Sequence, residues 1–265
     1  MGWLMRLINL LLRSGFWLGS LLLICLALYV SLGRELMPLL GEYRAEVEQK
    51  AQTALGMPVQ IGRLEGSWRG FSPLLVAHDV VLGEGADGIH LHTLRIKPDL
   101  LVGLLELRLE VQRVELEGLQ LTLAQSADGA WSVPGLPKAD SSSAAPDTQK
   151  ALTALLGIAQ LMLLDSQITV QPFEAEPSTL GHVEFELRNG SKQRLDAHLQ
   201  LPDGLPVSFS LRGKLNPADW RNSPAQLYLS LPQSDWAQRI PPELLAGWQL
   251  PRLLGGGEVW AEVAG

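Results

Sequence analysis

A single cysteine, Cys25, stands in 265 residues. No disulfide can form within the chain, and thiol pairing says nothing about the compartment. Ile24 precedes it where lipoprotein processing wants a small residue. Positive charge is also in deficit. The net charge is −7 and the isoelectric point about 5.3, so no excess of Lys and Arg gathers phosphates and nucleic acid is excluded as a partner. Aromatic residues make up only 6%. Catalytic signatures are missing too: there is no G-x-S-x-G elbow, no G-x-x-x-x-G-K phosphate loop and no H-E-x-x-H pair. Cys25 lies inside an apolar run, which removes a thiol nucleophile. The sequence reads as no enzyme and calls for no cofactor.

Leucine is what the chain has in quantity, roughly a fifth of all residues. Ser14 to Leu32 reads SGFWLGSLLLICLALYVSL, nineteen residues without a charge. As a helix this run spans about 28 Å, close to the ~30 Å hydrocarbon core of a bilayer. Trp3, Trp17 and Tyr29 lie towards its ends, where aromatic side chains favour the interface. The run is too long for a signal-peptide core of ~7–15 residues, so an uncleaved anchor is expected. Arg6 and Arg13 before it are balanced by Arg34, Arg44 and Lys50 after it. Orientation then follows from the very short N-terminal tail, which stays inside while the long domain is translocated.

Beyond the anchor, Leu36, Leu40, Tyr43, Val47, Ala51 and Ala54 share one face of a helix expected over Leu36–Leu55, stopped by Gly56 and Pro58. Its charge is mixed, so it is expected to plug the end of the following domain rather than lie on a membrane. From Val59 the period becomes two. Leu107, Leu109 and Val111 alternate with polar residues. The phase then slips to Val114 and Leu116, which predicts a bulge near Gln112 and Arg113. Leu119, Leu121 and Leu123 follow Gly118. Asp128-Gly129 is a turn before Trp131 and Val133. Residues 135–150 are rich in Pro, Ser and Ala and read as a flexible loop. Ala151 to Leu164 reads as a short helix leading into a strand at Gln167–Gln171. Further strands carry Val183, Phe185 and Leu187; Leu195, Ala197, Leu199 and Leu201; Val207, Phe209 and Leu211; Leu227, Leu229 and Leu231. Short turns between them favour antiparallel neighbours. Pro241-Pro242 opens a helical insertion ending near Gly247, and Gly255-Gly256-Gly257 precedes a last strand at Val259, Ala261 and Val263.

The expected architecture is mainly β. Residues 1–33 form the anchor and 34–56 an amphipathic helix; 57–134 and 151–265 form two β segments, joined by the loop at 135–150. About a dozen strands, each with one apolar and one charged face, pack either as a closed sandwich or as one elongated, curled antiparallel sheet with an open groove. Alternation alone leaves both open; leucine, a mobile lining and only a moderate strand former, tilts towards the groove. His90 and His92 share a strand face and, with His78 or Asp79, have the makings of a zinc site. No further ligands cluster with them, and a solvated strand face is the simpler reading. Trp68, Trp131 and Trp260 read as packing residues.

Three stretches, Gly56 to Gly83, Leu94 to Val133 and Gly157 to Val170, follow the anchor in an order that resembles the AsmA-like family, most closely its YhdP branch. The features that carry the likeness are the G-x-W-x-G-x-x-P element at Gly66 to Pro73, the V-E-L-E-G strand at Val114 to Gly118, and the Asp128-Gly129 turn before Trp131. The resemblance implies a bacterial inner-membrane protein held by one helix, with a taco-like apolar β groove in the periplasm. It also implies phospholipid movement towards the outer membrane, maintenance of that membrane's barrier, and no catalytic residues. The expected partners are phospholipid acyl chains, the inner membrane and other envelope proteins; the alternative is an anchored scaffold for outer-membrane protein assembly. Candidate groove residues are Leu107, Leu109, Val111, Leu119, Leu121, Leu123, Val183, Phe185, Leu187, Val207, Phe209, Leu211, Leu227 and Leu229. Family members are several times longer, so the second β segment is expected to be truncated, one part of a longer groove.

Overall fold

The structure is a computed structural model and describes residues 2–69, 72–83, 88–99, 110–136, 153, 155–174, 176–216, 218, 223–235 and 254–263. Helix α1 (Gly2–Leu36) carries the apolar run. It is long and apolar enough to cross a membrane, and its described apolar stretch is not buried within the protein. The expected Leu36–Leu55 helix is divided in two. Met37–Tyr43 is a tighter 3-10 turn with Pro38 at its start, and α2 spans Arg44–Leu55. Pro38 lacks an N–H and its ring collides with the preceding turn, so the α-helix cannot run through it. Gly56 closes α2 in the left-handed conformation (φ 68°), its N–H bonded to Gln52 O at 2.8 Å.

Eleven strands form one open sheet: β1 (Val59–Arg69), β2 (Ser72–Leu82), β3 (Ile89–Asp99), β4 (Glu110–Gln125), β5 (Trp131–Ser132), β6 (Gln160–Gln171), β7 (Ser178–Arg188), β8 (Gln193–Gln200), β9 (Pro206–Gly213), β10 (Ala225–Asp235) and β11 (Leu254–Val263). Their order follows the chain, with β5 a short branch on β4. Every pairing is antiparallel except β4 with β6, which is parallel and departs from the expected meander. Short turns cannot make a parallel pair; the long connection through β5 returns the chain to the same end of the sheet. The helix expected to reach Leu164 gives way to a strand from Gln160, because Leu161 and Leu163 continue the inward alternation. The three glycines expected to precede the last strand lie within β11. A Cβ on Gly256 would meet the backbone of Pro232 and Gln233, where β10 bulges between Leu231 and Ser234. The insertion expected at Pro241-Pro242 and most of the 135–150 loop fall outside the described residues.

The predicted bulge is present. Lys97 faces Arg113 and Pro98 faces Val111, so Gln112 is the extra residue, opposite a proline with no N–H to give the ladder. A second irregularity crosses several strands at one level. The inward residues step by three instead of two at Ile61 to Leu64, Ala77 to Val80, Leu91 to Leu94, Leu116 to Leu119 and Leu163 to Ser166. Asp79, Gly118 and Asp165 take positive φ there, 52°, 68° and 44°. Each strand therefore reverses phase at this crease and keeps its apolar side on the same face of the sheet. Ser166, fully buried, bridges the break: its hydroxyl accepts from Leu119 N at 3.1 Å and donates to Leu164 O at 3.0 Å.

Candidate lipid groove

Cross-strand register gathers the apolar residues into transverse rows. One row runs Leu64, Ala77, Leu94, Leu116, Leu163, Phe185, Ala197, Phe209, Leu229 and Val259. The next runs Gly66, Leu75, Ile96, Val114, Leu161, Leu187, Leu195, Leu211, Leu227 and Ala261. Six candidate residues (Phe185, Leu187, Phe209, Leu211, Leu227 and Leu229) stand in these two rows. Val111 lies beyond them, opposite Pro98. Leu119, Leu121, Leu123, Val183 and Val207 stand on the other side of the crease, opposite Leu91, Ile168, Val170, Ser166 and Leu199. Leu107 and Leu109 lie outside the described residues. Leu161 and Leu163 belong to the same rows and escaped the sequence reading, because a short apolar run does not distinguish helix from strand.

Among the described residues, only one end of this face is covered. Val47 and Ala51 of α2 pack on a buried cluster of Val59, Ile61, Leu64, Ala77, Val80 and Leu91. Beyond β4 no helix among the described residues packs on the apolar rows, and their members over β7–β10 are mostly half-exposed. Val259 is 49% exposed. Trp260, one residue on, points to the opposite face and lies against Tyr228, ring centroids 4.6 Å apart. Apolar area left in water costs roughly 25 cal/mol per Å², so such a face favours an apolar occupant.

α2 also seals the first edge of the sheet. Arg44 donates to Ile61 O and Gly62 O at 3.0 Å, Gln52 donates to Val59 O at 3.0 Å, and Ile61 N donates to Glu48 Oε1 at 2.7 Å. An unpaired strand edge would otherwise recruit another strand. The anchor is docked alongside. Trp68 packs edge-on against Tyr29 at 5.0 Å, and its ring fills the space where Gly33 has no Cβ. Gly66 lets Leu40 and the Met37 carbonyl approach the strand. The G-x-W element is thus the seat of the membrane helix, a role its spacing did not disclose.

The opposite face is charged. Arg188 donates to Glu186, which also accepts from Gln160, and the Arg188 bond holds the Glu186 carboxyl below its ordinary range. At Asp196 partial burial pushes the carboxyl up, but hydrogen bonds from Arg194 and Ser210 outweigh it and the net shift is downward. His92 Nδ1 lies 3.6 Å from Asp79 and His78 Nε2 3.8 Å from Glu65. Among the described residues no three His, Cys, Asp or Glu side chains converge to hold a metal. Gly83 to Gly88, GEGADG, has the G-x-G-x-x-G spacing. The next described element after it, however, is the antiparallel strand β3, not the helix whose N-terminus receives a pyrophosphate in that fingerprint.

The family model described as YhdP protein matches residues 1–264. The chain belongs to the YhdP family. One stretch of 62 residues is 42% identical to a protein of Escherichia coli (strain K12) named intermembrane phospholipid transporter YhdP. That stretch is 23% of this chain and 5% of the Escherichia coli protein. No solved structure matches. Membership of the YhdP family accords with the open sheet, and the apolar α1 fits an inner-membrane anchor.

Proposed function

We propose that this chain is a non-enzymatic, membrane-anchored groove that takes phospholipid acyl chains from the inner membrane and contributes to their passage across the periplasm. In this role it serves outer-membrane integrity. The observation that carries the reading is the pair of apolar rows running from β1 to β11 with, among the described residues, only their first end covered. Each methylene kept out of water is worth ~0.8 kcal/mol, so two acyl chains gain more from this face than any single polar contact supplies. The headgroup stays in solvent, and no residue need react. The name of the Escherichia coli relative, an intermembrane phospholipid transporter, supports the same substrate class. A scaffold whose apolar faces close into a core would need a second layer over β6–β11.

Phe209→Glu places a charge in the middle of one row. The variant is expected to stay folded and to lose most of the phospholipid that co-purifies with the parent chain, measured by extraction and mass spectrometry. Undiminished lipid in a folded Phe209→Glu chain would remove the groove as the binding surface.

A further inference from the structure

The charged face has an uneven distribution that the groove does not explain. In register across the sheet, Lys97 faces Arg113, and further along Arg188 faces Arg194, which faces Arg212. Like charges placed opposite one another destabilise a sheet. Glu115, Glu186 and Asp196 relieve part of this from one position further along their strands. Lys97 has no ion pair among the described residues. The row lies at the strand ends that adjoin Trp68, whereas the turns at the other end carry Asp128, Glu174, Glu176 and Asp203.

The end that carries this row, with Asp99 facing Glu110 beyond Lys97 and Arg113, lies beside the helical line that leads from the apolar helix. The helical line runs antiparallel to β1: Tyr29 and Gly33 meet Trp68, Leu40 meets Gly66, Arg44 meets Ile61 and Gln52 meets Val59. The apolar run before Tyr29 therefore continues past the Trp68 end of the sheet. At Trp68's cross-strand partner Pro73, a cavity of about 420 Å³ opens on the charged face. It is lined by Ser72, Pro73, Leu74, Arg95, Lys97, Arg113 and Glu115; Arg95 is paired with Glu117 at 2.6 Å and Arg113 with Glu115 at 3.2 Å, which leaves Lys97 as the cation with no ion pair among the described residues.

We propose that this pocket takes the phosphate of an anionic phospholipid headgroup from the membrane surface beside the anchor, with Lys97 and Arg113 as its cations and Ser72 as a hydroxyl donor. Charge complementarity selects the occupant: in a chain of net charge −7, a basic row at the membrane-facing end matches an anionic leaflet. The site lies on the face opposite the apolar rows and does not depend on the groove reading.

The test uses the full chain in neutral detergent, titrated calorimetrically with dihexanoyl phosphatidylglycerol, dihexanoyl phosphatidylcholine and inorganic phosphate. Phosphatidylglycerol is expected to bind about twenty-five-fold more tightly than phosphatidylcholine at low salt, a gap that narrows as salt rises. Lys97→Gln with Arg113→Gln is expected to close the gap, about fivefold per cation removed, with phosphatidylcholine affinity unchanged. Lys97→Arg, as a folding control, is expected to retain the gap. Equal affinities in the parent chain, or a preference that survives the double substitution, would overturn the proposal. Inorganic phosphate binding as tightly as phosphatidylglycerol would make this a free-anion site and overturn the membrane assignment. Failure of the groove reading would appear separately, as loss of phosphatidylcholine binding with the preference for anionic lipid intact.

Discussion

Ser166 and Gly118 hold the crease together by different means. Ser166 supplies the acceptor that Leu119 N loses when the ladder breaks. Removing it buries an unsatisfied N–H, so Ser166→Ala is expected to lower unfolding free energy by about 1–3 kcal/mol in denaturant titrations of the detergent-solubilised chain. Gly118 sits at φ 68°, and a Cβ there would approach His92 Cβ to 2.8 Å. Gly118→Ala is expected to destabilise by about 1–2 kcal/mol through the left-handed backbone alone, more if His92 cannot move. Leu116 and Leu119 mark both sides of the slip at Gly118, although the sequence reading placed its bulge only at Gln112 and Arg113. The partner slips at Asp79 and Asp165 were not legible, because aspartate at positive φ leaves no signature in an alternating strand. Ser166 was equally silent, a small polar residue on an inward position whose use depends on a backbone break in a neighbouring strand.

Element boundaries followed how strongly each period was written. The helix-to-strand change at Val59 and the bulge at Gln112 were legible from apolar spacing. The α1–α2 interruption depended on Pro38, and the β6 start on telling a short apolar run apart from a helix. Parallel pairing of β4 with β6 needed long-range topology that no local pattern contains. On the first edge, Glu48 and Gln52 occupy the backbone groups of β1 that no strand pairs. Glu48→Ala with Gln52→Ala is therefore expected to speed amide hydrogen exchange at Ile61 well above that of the central strands. Unchanged protection there would mean the helix is not the seal. On the outer face, the lowered carboxyls of Glu186 and Asp196 contribute stability that is complete above the ordinary carboxylate range and lost as pH falls through their folded values. The denaturation midpoint should thus be flat near neutrality and decline below about pH 4, with a shallower decline in Glu186→Gln.

At the scale of the whole molecule, α2 closes one end of an apolar face that then runs on to β11 with no further helix over it among the described residues. Ten strands in line advance the sheet by about 43 Å at ~4.8 Å per strand, less than the dozen expected from alternation would give. The anchor is fixed to this face through Trp68, so the covered end and the membrane helix sit together and the open rows lead away from β1. On the proposed function, this arrangement would let acyl chains enter beside the bilayer and follow a continuous apolar path. The direct measurement is photocrosslinking of phospholipid in native membranes, from a photoreactive residue at Phe185 or Phe209 compared with one at Glu184 or Arg212. The groove account predicts lipid adducts at the first pair and few at the second. Equal capture at all four positions, or capture confined to Glu184 and Arg212, would contradict it.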